Sequence, residues 1–147
     1  MELSKTPMGK CKITIRDQHT VDGETSDTIM TVFGVLDPSE SGYTLRYIEQ
    51  SGELEGYTTD VIYEEEAGIV SIRRRGSTAL EMTLEEGKRH NCVYDLEEGR
   101  LIMGVDTHRI DSSMSRFGGT LKLNYDIDFN AGFVSENNLQ ITVKEIF

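Results

Sequence analysis

The 147-residue chain has no tryptophan, two cysteines, three histidines and no long apolar run. Each shortage closes off a class of structure. Without tryptophan, the core leans on Leu, Ile, Val, Met, Tyr and Phe. Nothing approaches the roughly 18 consecutive apolar residues that a membrane-spanning helix requires. The opening M-E-L-S-K-T-P-M lacks the apolar stretch and small-residue cleavage site of a signal peptide, so a cytoplasmic protein is expected. Cys11 and Cys92 lie far apart, each within an apolar alternation, which predicts two buried thiols in a reducing compartment. His19, His90 and His108 show no ligand spacing, so no metal site is expected. His90 shares parity with Cys92 and Tyr94 and reads as a hydrogen-bonded interior side chain. Nucleophile-elbow, zinc-protease, phosphate-loop and dinucleotide motifs are all missing. The sequence therefore assigns no catalytic residue and no cofactor.

Positive charge is also scarce. Fifteen Lys and Arg stand against 26 Asp and Glu, a formal net charge of −11. Such a balance repels phosphate backbones and acidic lipid surfaces, so neither nucleic acid nor membrane is expected as a partner. The length fits one domain, and 37% hydrophobic residues suffice for one modest core. No linker, repeat or low-complexity tract divides the chain. Residues 1–8 read as an arm or plug over one end, and 9–147 as a single domain.

What the chain does have is alternation. Residues 121–129 read L-K-L-N-Y-D-I-D-F, apolar at every odd position and polar at every even one. A period of two makes this a strand with one face on a core and one in water, the pattern of an antiparallel sheet. The same test places Cys11, Ile13 and Ile15 in a first strand and Tyr43, Leu45 and Tyr47 in a third. Tyr57, Thr59, Val61 and Tyr63 mark a fourth, and Leu139, Ile141 and Val143 the last. Residues 29–36 are apolar at both parities, and Gly34 among them suggests a bulge or bend. Asp22-Gly23 predicts a tight hairpin. Acidic runs at 64–66, 85–86 and 97–98, each closed by a nearby glycine, read as solvated hairpin tips. Residues 111–119 form the longest candidate loop, with room for one helical turn. The fold expected is all-β: an antiparallel up-and-down barrel of eight to ten strands, closed or nearly closed.

One strand breaks its own rule. In V-S-I-R-R-R-G, Arg74 shares the inward parity of Val70 and Ile72. A charge on an apolar face needs a partner, water or a ligand. Glu49 is the best candidate partner, and Tyr47, Tyr94, Thr107 and Tyr125 share inward parity in their own strands.

At these positions the chain resembles the YwiB-like domain-of-unknown-function family of bacterial calycin-type barrels. The resemblance runs from about Lys12 to Lys144. It rests on Leu45-x-Tyr47-x-Glu49, Arg74-x-Gly76, Tyr94 followed by Gly99, Thr107 and Ile110, and Gly119 leading to Tyr125-Asp126. It implies a closed lipocalin-like barrel and a cytoplasmic bacterial protein, and it supplies no activity. Asp95 and Glu98 make one hairpin more acidic than the family pattern. Three readings of the inward polar set follow. It lines a cavity for a small amphipathic or acidic molecule; or it is an internal ion pair and tyrosine network in a filled barrel that acts through its surface, as a homodimer or with a protein partner; or it serves an enzyme acting on a small substrate through Arg74, Glu49 and the tyrosines. On the second reading, losing a buried Arg74 would cost about 3–5 kcal/mol.

Overall fold

The computed structural model describes residues 9–50, 52–115, 117–129 and 132–146. The expected arm at 1–8 lies outside the described residues. Ten strands follow in order: β1 (Gly9–Val21), β2 (Glu24–Pro38), β3 (Gly42–Ile48), β4 (Thr58–Glu64), β5 (Ile69–Arg75), β6 (Ala79–Glu85), β7 (Arg89–Leu96), β8 (Gly99–Ser112), β9 (Gly118–Phe129) and β10 (Phe133–Glu145). Each pairs antiparallel with its neighbours in sequence, and β1 pairs with β10 to close the barrel. Among the described residues no helix is long and apolar enough to cross a membrane.

Turn chemistry makes the meander. Asp22 and Gly23 both take positive φ, 52° and 80°, as the tight hairpin between β1 and β2 requires. The three acidic runs fall at the β4–β5, β6–β7 and β7–β8 turns, where their charges meet water, except that half-buried Glu85 is engaged by His90 and Lys88. The 113–117 segment carries an isolated bridge between Ser115 and Gly118 and no helical turn among its described residues.

The inward parities pack the middle. Ile13, Leu45, Ile72, Leu84, Leu121 and Ile141 are fully buried there. Cys11 and Cys92 are buried free thiols on β1 and β7, strands that are not neighbours. In the ambiguous stretch, Val32 and Leu36 face inward while Ile29 and Phe33 lie exposed outside.

Gly34 is not a bulge. Its pairing with Cys11 on one side and Tyr47 on the other is in continuous register. It is there for space: a Cβ would strike the Arg46 carbonyl oxygen and lie 2.7 Å from the Ile13 Cδ1. The register shift falls instead in β8, between Thr107 and Arg109. Tyr57 also departs from expectation. It precedes β4, because the chain first turns through a short 3-10 segment, Gly52–Leu54. The Tyr57 N–H donates to the Leu54 carbonyl (2.9 Å) and Gly56 has φ of 88°.

Outside the barrel, Gly104 leaves room for the Arg89 guanidinium. That group bonds Asp128 twice, at 2.7 and 3.0 Å, and Asp106 at 2.7 Å. Gly34→Ala should cost about 1–3 kcal/mol, because backbone must move to admit the methyl group. Gly104→Ala meets a flexible side chain and should cost less. Chemical denaturation of the two variants tests the order, and a larger loss at Gly104 would contradict it.

Candidate functional site

Register assembles the site along one row. Tyr47, Thr59, Arg74, Leu80 and Tyr94 are successive cross-strand partners from β3 to β7. All therefore share the inward parity near the barrel end where β3 and β5 finish. Glu49 lies just past β3, yet it is buried. Its backbone is clamped: its N–H donates to the Tyr57 carbonyl and its carbonyl accepts from the Gly56 N–H, both at 2.9 Å. The Thr59 hydroxyl donates to Glu49 Oε2 at 2.8 Å.

Arg74 reaches the same carboxylate more loosely. Its Nε stands 3.8 Å from Glu49 Oε2, a charge pair beyond hydrogen-bond length. That Nε is buried with no hydrogen-bond partner among the described residues, although the Arg74 side chain as a whole is 24% exposed. The flanking Arg73 and Arg75 point outward and pair with Glu81 and Asp60.

Tyr125 stands on another wall, in a row running from Thr107 through Tyr125 and Asn137 to His19. The Asn137 side-chain amide donates to the carbonyls of Tyr125 and Ser135 and to the Ser135 hydroxyl. Burial raises the Tyr125 phenol, and the nearby Asp17 charge adds to this while Arg74 opposes it. Tyr47 is pushed up to about 12, chiefly by burial and then by Glu49, with Arg74 and Thr59 opposing. Both phenols are thus protonated at neutral pH. Asp17 is raised by burial against the pull of His19 and Arg74.

Arg74, Glu49, Tyr47 and Tyr125 lie close enough for their charges to act on one another, and Tyr94 shares a cavity with Arg74. Thr107 makes no side-chain hydrogen bond to them among the described residues. It adjoins Tyr125 in register, but its hydroxyl is buried without a hydrogen-bond partner among the described residues. Sequence reasoning missed Thr59 and Asp17 as members. Extending the parity of Cys11, Ile13 and Ile15 by one step would have found Asp17.

The cavity beside Arg74 has a volume of about 220 Å³, with Leu54, Tyr57, Leu80, Tyr94 and Phe129 among its walls. Tyr57 is pinned there by hydroxyl contacts to Ser77 (2.9 Å) and Thr78 (2.8 Å), with its ring over Gly76. A Cβ on Gly76 would sit 2.6 Å from that ring, which gives the R-x-G segment a steric reason. A wider concavity of about 990 Å³ opens at the opposite end, beside Tyr43 and Tyr63, and holds none of the predicted residues. Among the described residues, no cluster of three or more His, Cys, Asp or Glu could hold a metal ion.

Residues 13–141 match the family described as a domain of unknown function (DUF1934). The chain belongs to this family. The YwiB protein of Bacillus subtilis, a solved structure, superposes with a TM-score of 0.84 at 20% identity, over 99% of each chain. At that identity the likeness shows the fold. DynF, from the dynemicin biosynthesis pathway of Micromonospora chersina, aligns at 16% identity over 93% of this chain and 79% of its own, with a TM-score of 0.32 that carries no argument. No curated protein matches. The family thus has this ten-strand barrel as its frame and brings no activity with it.

Two predictions follow from the cluster's energetics. Thr59→Val strands a lone pair on buried Glu49 and should cost about 1–3 kcal/mol. Arg74→Met should fall in the same range, below the loss expected of a fully buried pair, because Arg74 is partly hydrated. Equilibrium unfolding reads both, and a loss below about 0.5 kcal/mol in each would dissolve the cluster as a stabilising unit. Asp17 adds a pH dependence. Its raised value means that the folded state holds the proton more tightly than the unfolded chain. Its contribution is therefore fully present at low pH and is lost as pH rises through the raised value. Asp17→Asn should stabilise the protein more at about pH 7 than at about pH 3, and equal effects at both would refute the raised value.

Proposed function

We propose that this barrel is a non-enzymatic binding protein for a compact molecule with an acidic group, taken up in the cavity beside Arg74. The observation that carries the reading is the Arg74 Nε, a buried donor with no hydrogen-bond partner among the described residues, in a side chain that borders a mainly apolar cavity. A ligand carboxylate would complement the guanidinium, and its apolar body would lie against Leu80, Tyr94 and Phe129. The volume of 220 Å³ is below the roughly 300–1,000 Å³ usual for drug-sized ligands, so the molecule is small. The packed middle of the barrel favours an end site over a deep central one. Two buried free thiols fit a reducing, cytoplasmic setting.

The second reading keeps Arg74 and Glu49 as a structural pair in a barrel that works through its outer surface or as a homodimer. The Thr59 bond to Glu49 supports it, since the carboxylate is already engaged. The same engagement speaks against Glu49 as a free general base, and the raised phenols of Tyr47 and Tyr125 keep their protons at neutral pH.

Native mass spectrometry of freshly purified protein separates these readings. The binding reading expects a co-purified small acid that Arg74→Met loses, and a thermal shift with a panel of small aliphatic and aryl carboxylic acids. A bare mass together with a flat thermal response across that panel would overturn it.

A further inference from the structure

The cations of this acidic protein are unevenly matched. Every described arginine has a carboxylate partner, and so does Lys88. Among the described residues, Lys10, Lys12, Lys122 and Lys144 have none, and all four are exposed on β1, β9 and β10. Lys12 and Lys144 are direct cross-strand partners, the like-charge arrangement that destabilises a ladder. Of the acidic residues beside this face, Asp27 is bonded to Arg16, and Asp111, the cross-strand partner of Lys122, is bonded to Arg109; Asp37 lies at the edge, two residues along β2 from Val35, the partner of Lys10, and leaves Lys12 and Lys144 without a facing carboxylate. Glu145, beside Lys144, has the opposite parity and pairs in register with buried Cys11.

The lysines stand beside apolar surface. Phe33, 69% exposed, is the other cross-strand partner of Lys12. With Val35 and Ile146 it walls an outer groove of about 360 Å³ that Lys10 borders. Two residues along, Thr31, Thr14, Thr142 and Thr120 form an unbroken row of hydroxyls across four strands. Lys122 stands one further row on, level with Gln140 and Arg16. At about 3.4 Å per residue along a strand, the lysines span roughly 20 Å, more than one carboxylate can answer.

We propose that this outer face of β1, β10 and β2 docks a short acidic segment of another protein, with a bulky apolar side chain in the Phe33 groove and carboxylates on the lysines. The inference is independent of the Arg74 cavity. Charge complementarity and the apolar groove together select the occupant. A long polyanion would meet the acidic remainder of a protein carrying −11, and a nucleic acid would need a series of stacking rings where, among the described residues, this face offers only Phe33. A short segment stays within the local positive field, which salt screens over about 8 Å.

The test uses the full chain and a fluorescently labelled octapeptide of alternating glutamate and phenylalanine, followed by anisotropy. The proposal expects saturable, salt-sensitive binding that Lys144→Glu weakens about tenfold and Phe33→Ser weakens as much. Lys144→Glu also gives Lys12 an opposite charge across the ladder, so its melting temperature should be equal or higher while binding falls. That opposition separates lost recognition from lost folding. Absence of saturable binding, binding unchanged in Lys144→Glu, or equal affinity for an oligothymidine of matched charge would each overturn it. So would a dimer in solution that Phe33→Ser dissolves, because a second copy would then own the face.

Discussion

The ladder between β1 and β10 is the constraint on which the structure depends. Ten consecutive residue pairs, from Cys11 with Glu145 to Thr20 with Glu136, join the first strand to the last. All other pairings are between neighbours in sequence and could form in an open sheet. Without the closing ladder, β1 and β10 would each present a long unpaired edge, which invites association with other chains. Closure also gives the inward parities an inside. Isoleucines and leucines spaced along the whole chain bury against one another only because the sheet returns on itself.

Closure explains why polar chemistry sits near an end. The middle of a ten-strand barrel is filled here by branched side chains, and an unpaired charge among them would be prohibitively unfavourable. One row from the rim, a charge can keep part of its hydration. Arg74 does so, while Glu49 beneath it is buried and compensated by the Thr59 hydroxyl and the cation. The arrangement also depends on a turn. Without the Gly52–Leu54 segment and the return through Gly56 and Tyr57, Glu49 would have no clamp and Arg74 no apolar cover.

The period of two made strands legible, and it correctly turned Arg74, Tyr47 and Tyr125 inward. Parity says which face a residue occupies, but it does not say which residues meet across strands. That is set by register, which turns determine locally and closure determines globally. Thr59 was readable as inward but not as the Glu49 donor, because the link depends on the pairing of β3 with β4. Thr107 was readable as inward but not as the cross-strand partner of Tyr125, because that pairing depends on the register of β8 against β9. Gly34 looked like a bulge because a glycine in a strand has two uses, and only the position of the Arg46 carbonyl and Ile13 distinguishes them. Asp17 went unseen because the apolar run that defined β1 stops at Ile15 while the strand continues to Val21.

Inside and outside, the same charge accounting leads to different conclusions. A cation within the barrel must be answered during folding, and Arg74 has Glu49, with the Asp17 charge also acting on the site. A lysine on the outer wall is answered by water at little cost, so folding imposes no partner on Lys12 or Lys144. With 26 acidic residues in the chain, a carboxylate opposite either lysine would have been easy to place. Cross-strand pairs of opposite charge do occur on this barrel, as between Arg73 and Glu81 or Arg46 and Asp60. Like charges do meet elsewhere, as where Asp106, Asp126 and Glu136 stand in one row, but there Arg89 and His108 answer two of the carboxylates, whereas no carboxylate pairs with Lys12 or Lys144 among the described residues. Stability does not require the Lys12–Lys144 pair, since an exposed lysine is hydrated at little cost whether or not a carboxylate faces it.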